Sequence, residues 1–571
     1  MFKQKVVELL AAVGFQHPLL EKPDLQFGDV AVPCFSLAKE WKKAPQQIAI
    51  EITEKLRSKQ QAEPKQFKWL SEINSAGAYI NFKYNQSLVA NEVITTIRTQ
   101  KKKYGYNQEG NNKTVMVEFS SPNTGKPMHL GHVRNNCLGR AVSNLLSASG
   151  YRVLRASLMN DRGAHMAKAM VAYQHWGERK TPASSGKKGD HFLGELYVKF
   201  KQEAEKNPIL EEEAATMLRA WEAEDKKTIA LWKKLLSWCV NGFNQTYKEM
   251  GIKFDVLYWE SKLWKQGAEL VDLGLQKGVM EKLEDGAIKA TLEQYGIPDK
   301  VVRRSDGTSL YITQDLYVAK SRFDERNLDR IVYVVACEQD LHFKQLFKIL
   351  ELMGFTWAKK CYHLSYGMVA LPDGVMKSRE GRVVDADDLM KEMQDLAKKE
   401  VSRRYPDISE EELTLRGRAI GLGALTFFML RLDPVKELMY DPKASISFEG
   451  ETGPYVQYSH ARICSIFEKH EGKIPKIKKP ELLTHQTETA LVTLLTEYPA
   501  IVLASTKQYD IHTLCHYLLQ LATETNAFYG SCQVLNVEAN LRDARLALLD
   551  AVRIVLKNGL GLLGIEAPQR M

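Results

Sequence analysis

The sequence predicts an α/β protein: a Rossmann-type parallel-sheet domain carrying an insertion, preceded by an α+β domain and followed by an all-helical bundle. Three observations predict it. Strand, loop, helix and strand patterns succeed one another between Thr114 and Leu158, the unit from which parallel, doubly wound sheets are built. A second strand-length run, Ile331 to Ala336, is wholly apolar and again leads into a helical pattern, as in strands buried on both faces. Beyond about residue 406 only helical periodicity remains.

Taken in order, residues 1–110 mix short helices and strands and end in the polar, glycine-bearing stretch Lys101 to Asn112, which reads as a linker. The central domain spans 111–405. Val115, Val117 and Phe119 alternate with Met116 and Glu118 as in a strand, and Ser120 to Met128 is a loop punctuated by proline and glycine. Leu130, Val133, Leu138, Val142, Leu145 and Leu146 share a helical face, and Gly150 stands where a helix ends. Val153 to Leu158 is the next strand. An insertion of about 160–300 follows, with a flexible-looking segment from Glu178 to Asp190 and a charged helical region from Glu211 to Lys234. After Ile331 to Ala336, a helix carries Leu341, Leu346, Phe347, Leu350 and Met353, and Tyr362 to Leu371 reads as a further strand. The bundle, 406–571, shows helices at Leu413 to Leu432, Thr452 to Phe467, Glu488 to Ser505, Ile511 to Tyr529 and Arg542 to Leu562. The lysine-rich stretch Lys469 to Pro480 reads as a solvated loop.

Composition narrows the function. With 44% hydrophobic and 26% charged residues the chain is globular. Its 79 basic against 70 acidic residues give +9, which favours a polyanionic partner without making the chain a basic tail. The eight cysteines are scattered with no C-x-x-C pair, so reduced thiols, a cytoplasmic setting and no structural metal are expected. The apolar run Ala419 to Leu430, bracketed by Arg418 and Arg431, reads as a buried core helix, and no membrane segment or secretion signal is expected.

Chemistry concentrates in the loop from Ser120 to His132. It lies at the carboxyl end of the first strand, where helix N-termini leave N–H groups free for phosphate. His129 and His132, three apart, face the same side, and Gly131 removes a side chain that would block a flat base or ribose. An isolated pattern of this kind has a second reading, with His129 as a helix cap and His132 as a buried, satisfied histidine.

Read with its surroundings, the loop from Ser121-Pro122-Asn123 to His132 resembles the first signature of class I aminoacyl-tRNA synthetases, in the form found in arginyl-tRNA synthetases. Further stretches match this family in order: Asp306 to Asp315, Glu338 to Phe343, Thr452 to Ile463 and Leu562 to Met571. Gly28 to Ala31 and Gly77 to Phe82 look like its additional N-terminal domain, which touches the tRNA elbow. The resemblance implies ligation of L-arginine to its tRNA through arginyl-adenylate, with ATP and Mg²⁺, activation that requires bound tRNA, and a monomer.

Site roles follow by the same resemblance. Lys126, His129, Gly131 and His132 would meet ATP. The second signature, usually Lys-Met-Ser-Lys-Ser, is degenerate here as Gly374 to Gly381: Met376 aligns, Val375 and Ser378 replace the two lysines, and Lys377 and Arg379 stand nearby. In this family a lysine before the first signature is thought to compensate, which is the place of Lys126. Which cation meets the β- and γ-phosphates stays open, and Lys377 and Arg379 also read as a solvated turn. Arginine, with five N–H donors, needs carboxylates and a phenol in one pocket. Asp315 and Tyr311 match, with Ser121, Pro122, Asn123, His132 and Gln339, and Glu118 and Glu260 as further acceptors. Tyr455, Tyr529 and Met571 match positions that contact tRNA, although Tyr529 also suits a helical core.

Two other readings compete. A cysteinyl ligase or small nucleotidylyltransferase of the same superfamily lacks support in zinc-spaced cysteines or has no use for a helical third domain. A non-catalytic tRNA-binding paralogue would fit the altered second signature, but not the retained His129, Gly131, His132, Asp315 and Gln339.

Overall fold

The computed structural model describes residues 2–24, 26–308, 310–371, 374–375 and 384–571. At its centre is a five-stranded, wholly parallel sheet formed by β1 (Thr114–Glu118), β2 (Arg152–Met159), β3 (Val256–Trp259), β4 (Arg330–Ala336) and β5 (Cys361–Tyr366). Their spatial order is β5-β4-β1-β2-β3. The order reverses between β1 and β4, and in such sheets the crevice at the carboxyl ends of those two strands holds the ligand.

Helix α1 (Leu130–Ala148) crosses from β1 to β2. It approaches β1 closely because Gly139 has no side chain, since a Cβ there would lie 2.1 Å from the Phe119 ring. The helix stops as expected, with Gly150 at φ +81 just past its C-cap Ser149. Helix α2 (Tyr311–Arg326) precedes β4, and α3 (Asp340–Leu352) follows it.

Two stretches differ from their reading in sequence. The segment expected as one insertion, 160–300, is interrupted by β3, which extends the main sheet beside β2. Before it come the helices Ala164–Trp176, Gly189–Lys206, Ile209–Glu222 and Lys226–Met250, and after it a small antiparallel sheet of Met280–Lys282, Ile288–Ala290 and Lys300–Arg303. The strand expected over Tyr362 to Leu371 divides at Gly367, where a Cβ would lie 2.6 Å from the Lys436 carbonyl. Beyond that contact Val369–Leu371 joins a separate sheet with Gly374–Val375 and Leu438–Met439.

The N-terminal domain sets three antiparallel strands, Val30–Pro33, Leu70–Ala76 and Tyr79–Tyr84, against the helix Pro45–Ala62. The stretch after its last helix is docked: Tyr104 is buried, stacks on Tyr498 and donates to the Leu495 carbonyl at 2.7 Å.

In the bundle, the helices Glu410–Leu430, Gly453–His470, Gln486–Gln508, Ile511–Ser531 and Ala539–Leu563 match the five expected to within a few residues. Glu410–Leu430 and Gln486–Gln508 are long and apolar enough to cross a membrane by length and composition, but both pack within the bundle. The bundle holds the far side of α1: Asn144 donates to the Leu562 carbonyl at 3.2 Å, and Ser149 and Thr506 share a hydroxyl bond of 2.8 Å.

Candidate active site

β1 ends at Glu118, and the chain turns sharply. Ser120 and Ser121 take left-handed backbone angles, φ 71 and 44, which cost non-glycine residues on the order of 1–3 kcal/mol each and persist only where neighbours enforce them. Here α1 and β2 enforce them. The Ser120 N–H donates to Asn135 Oδ1 (2.5 Å), the Ser121 N–H to Ser157 Oγ (3.2 Å), and Ser121 Oγ accepts from the Leu158 N–H (3.1 Å). Further along, Thr124 donates to the Asn160 carbonyl (2.9 Å) and the Gly125 N–H to Cys239 Sγ (3.2 Å).

The loop delivers His129 as the N-cap of α1. Its Nδ1 accepts from the Gly131 N–H (3.1 Å), while His132 Nδ1 accepts from the His129 N–H (3.2 Å), a reciprocal capping box made of two imidazoles whose centroids lie 4.1 Å apart. Acceptance at Nδ1 assigns the proton of each ring to Nε2. Burial, aided by the Lys126 charge, pushes His129 down to about 4, and burial beside His129 holds His132 well below the ordinary imidazole range. Both rings are therefore neutral near pH 7 and offer one N–H donor each. The capping reading and the ligand reading are compatible: the cap fixes which nitrogen faces outward. Gly131 has a local reason as well, since a Cβ there would press on the His129 ring at 3.0 Å.

Four carboxylates stand at or near the carboxyl ends of the neighbouring strands: Glu118 on β1, Asp161 after β2, Glu260 after β3 and Asp315 on α2. Glu260 feels both Asp161 and Asp315, and burial raises it to about 7 against the opposing pull of Arg162. Burial also raises Glu118, opposed by its ion pair with the buried Arg322. Glu118, expected from the sequence as a further acceptor, thus already faces the chain's own guanidinium. Asp161 is held by the Ser261 N–H (2.8 Å) and hydroxyl (2.7 Å). Asp315 accepts from His342 Nε2 at 2.8 Å. Tyr311, at the first turn of α2, is 79% exposed, and Asn123 and Gln339 are also exposed, whereas Pro122 is buried.

Cations gather around the loop instead. Lys126 lies 4.4 Å over the Tyr197 ring, Lys201 lies 5.5 Å from the same ring, and burial followed by the charges of Lys201 and Lys168 lowers the Lys126 ammonium. Met376, Lys377 and Arg379 lie outside the described residues.

On the bundle, Tyr455 is half-buried and Tyr529 is 43% exposed with its ring 3.7 Å from the Arg462 guanidinium. Met571, expected at the RNA surface, is instead 3% exposed and packs with Phe448, Ala461 and Ile420. An apolar side chain at the end of the chain gains more from that cluster than from water.

Sequence reasoning missed Asp161, His342, Lys168, Lys201 and Tyr197, and also Arg134. The Arg134 guanidinium is fully buried and donates to the carbonyls of Gly367 (2.5 Å), Met368 (3.3 Å), Pro434 (3.1 Å) and Lys436 (3.0 Å), tying α1 to the start of the second small sheet. An arginine among apolar positions of a helix was the one visible signal.

Comparison with known proteins agrees with this geometry. Family models match in three consecutive stretches: the N-terminal domain of arginyl-tRNA synthetase over 1–84, the catalytic domain of class I (R) tRNA synthetases over 93–441, and the DALR anticodon-binding domain over 456–571. The chain is 41% identical to an arginine–tRNA ligase of Treponema denticola, covering 95% of this chain and 92% of that one. It is 40% identical to one of Porphyromonas gingivalis, covering 97% and 95%. The solved arginyl-tRNA synthetase of Thermus thermophilus is similar over 100% of this chain and 99% of that one, with a TM-score of 0.83 and 27% identity.

Proposed function

The chain belongs to the class I arginyl-tRNA synthetases, and from that premise we propose how its residues divide the work. Its activity is the ATP-dependent ligation of arginine to tRNA. In the first step an arginine carboxylate oxygen bonds to the α-phosphorus of ATP as the bond to pyrophosphate breaks. In the second a terminal ribose hydroxyl of tRNA attacks the carbonyl carbon, its proton is released, and AMP leaves.

Arginine enters with its guanidinium toward Asp315, Glu260 and the Tyr311 hydroxyl, while Ser121, Pro122, Asn123 and Gln339 border its backbone end. Phosphoryl transfer asks for positioning and for donors aimed at developing charge. The Nε2–H groups of His129 and His132 supply neutral donors at the α-phosphate, and Gly131 leaves room for the nucleotide. Lys126, backed by Lys168 and Lys201, meets the β- and γ-phosphates. Lys126, His129 and His132 themselves offer no hard oxygen ligands. Mg²⁺ would be carried by the triphosphate itself, where it neutralises charge.

Residues 406–571 read the anticodon loop, with Tyr455 and Tyr529 presented to unpaired bases. Residues 1–110 touch the tRNA elbow, and 111–405 hold the chemistry. A cytoplasmic monomer suits this assignment. One observation carries the division of labour: a single loop that carries Lys126 ends in two neutral, oriented imidazoles.

ATP–pyrophosphate exchange measured with and without tRNA, and transfer of labelled arginine to tRNA, test it. Exchange that requires both arginine and tRNA is expected. Exchange driven equally by lysine would overturn the pocket assignment.

A further inference from the structure

Behind the mouth lies a polar cluster that the reaction scheme does not use. Lys188 Nζ lies 3.2 Å from Asp190 Oδ2 and 2.5 Å from Thr246 Oγ1, and it also donates to Asp387. His191 Nε2 is 3.0 Å from Asp387 Oδ2 and 3.4 Å from Asp385 Oδ2. Thr246 donates to Asp387 Oδ1 at 2.9 Å. Asp190 is fully buried.

The cluster joins three elements that have little freedom to shift. Helices Gly189–Lys206 and Lys226–Met250 meet at glycines: a Cβ at Gly189 would lie 1.9 Å from the Trp238 carbonyl, and one at Gly242 would lie 2.1 Å from Asp190 Oδ1. The third element is the N-terminus of helix Ala386–Arg404, whose cap Asp385 accepts from the N–H groups of Asp387 (2.8 Å) and Asp388 (3.3 Å).

That N-terminus is stapled to the mouth of the site. The Leu130 N–H donates to the Val384 carbonyl and the Ala386 N–H to the Met128 carbonyl, both at 3.0 Å, and His129 and Asp385 form an antiparallel bridge. The residue that caps α1 and the residue that caps the later helix are therefore strand partners. Left unpaired, Asp385 and Asp387 would put carboxylate charge beside a site that must attract a triphosphate.

We propose that Lys188 and His191 are positioning residues for adenylate formation: they hold and neutralise Asp385 and Asp387, fixing the Val384–Ala386 segment against Met128–Leu130 and keeping negative charge from the phosphate side of the mouth. This rests on the reading that the mouth binds ATP. The charged groups facing His191 are Asp385 and Asp387 from helix Ala386–Arg404 and Lys188 and Asp190 from its own segment, while helix Lys226–Met250 adds the uncharged Thr246. The Asp387 bond raises the His191 imidazole, and although burial opposes it, bonds from His191 and Lys188 bring Asp387 down to about 2. As pH rises past the His191 pKa the cluster loses a positive charge.

The test uses the full chain with tRNA in ATP–pyrophosphate exchange, normalised by active-site titration, for wild type, Lys188→Met, His191→Gln and the double variant Lys188→Met/Asp387→Asn. The KM for ATP should rise about tenfold in Lys188→Met, the loss of one close charge partner, with the KM for arginine unchanged. The double variant should recover toward wild type, because it removes the carboxylate that Lys188 neutralised. Wild type and Lys188→Met should show KM for ATP rising with pH, and His191→Gln should flatten that rise. An unchanged KM for ATP in both single variants, or a double variant worse than Lys188→Met, overturns the inference. A wild-type enzyme without arginine-dependent exchange would instead remove the underlying reading of the mouth, and this inference with it.

Discussion

His342 Nε2 lies 2.8 Å from an oxygen of Asp315, across 27 residues of sequence, and ties α3 to α2 beside the proposed arginine pocket. Asp315 stands near two other carboxylates, Glu118 and Glu260. Repulsion among them would swing a free aspartate toward water, and the imidazole holds one oxygen, which leaves the other for the guanidinium in the arginine pose proposed above. Asp315→Ala should raise the KM for arginine by about 10²–10³-fold, the penalty for leaving a charged donor unpaired. His342→Ala should raise it by about five- to tenfold, since it loosens the acceptor without deleting it. Steady-state kinetics at saturating ATP check both, and an unchanged arginine KM in Asp315→Ala would remove that residue from the pocket.

The reciprocal imidazole cap permits structural and chemical roles to be separated. Asparagine is a good N-cap, so His129→Asn should keep the melting temperature within a few degrees while it lowers kcat for activation by about 10²-fold, the usual loss for one oriented donor. His129→Ala should lose the same rate and about 1 kcal/mol of stability in addition. Equal rates in His129→Asn and wild type would leave this residue with a purely capping role.

Most of this architecture was legible in the letters, and the exceptions have physical causes. β1, β2 and β4 announce themselves because buried parallel strands need apolar runs or clean alternation. β3 did not, because it is four residues long at a sheet edge with Leu257 exposed. The division of the last strand depends on backbone meeting backbone at Gly367, which no periodicity encodes. In the site, His129, Lys126 and Asp315 stand in recognisable strings. Asp161 and His342 acquire their roles only through partners 100 and 27 residues away, and Lys201 through a ring it shares with Lys126. The partner of Glu118, Arg322, is likewise invisible until the helix packs.

Glu260 predicts a pH dependence with a definite sign. Its carboxyl is raised from an ordinary 4.5 to about 7, first by burial and then by Asp161 and Asp315, against Arg162. Between those values the folded chain keeps a proton that the unfolded chain has lost, so stability falls as pH rises through that window and levels above 7. Arginine binding works the other way, because a guanidinium favours the ionised form. Arginine affinity should therefore weaken as pH drops below 7, and binding near neutrality should release up to about one proton, read by calorimetry in buffers of different ionisation heat. Glu260→Gln should abolish the release. Proton release that persists in that variant would assign the titration elsewhere.

The Lys126 charge is felt at His129, one of the paired histidines, and at His165. Lys126→Ala should slow exchange by about 10²-fold with little change in arginine KM, as expected for a group that acts on developing phosphate charge. Tyr197→Leu removes the ring under that ammonium while leaving the ammonium itself. Its cost should be smaller, about two- to fivefold, the scale of one cation–π contact. Retained turnover in Lys126→Ala would transfer the phosphate role to Lys377 or Arg379.

Arg134 supplies the sharpest stability test, because its four acceptors are all backbone carbonyls and no acidic side chain pairs with it among the described residues. Those carbonyls belong to Gly367, Met368, Pro434 and Lys436, at the start of the two segments that pair in the second small sheet. Arg134→Met keeps most of the side-chain volume but takes the donor from the Gly367 and Lys436 carbonyls, while Pro434 and Met368 still accept from the N–H groups of Gly367 and Leu438, at a cost of about 3 kcal/mol for the two buried acceptors left unmade. The same loss frees the 367–368 corner from α1, whose first residues form the proposed catalytic mouth. Denaturant unfolding should therefore show the lower stability, and exchange kinetics at a temperature where the variant is still fully folded should show a reduced kcat. A variant as stable as wild type would mean that water replaces the guanidinium at these carbonyls.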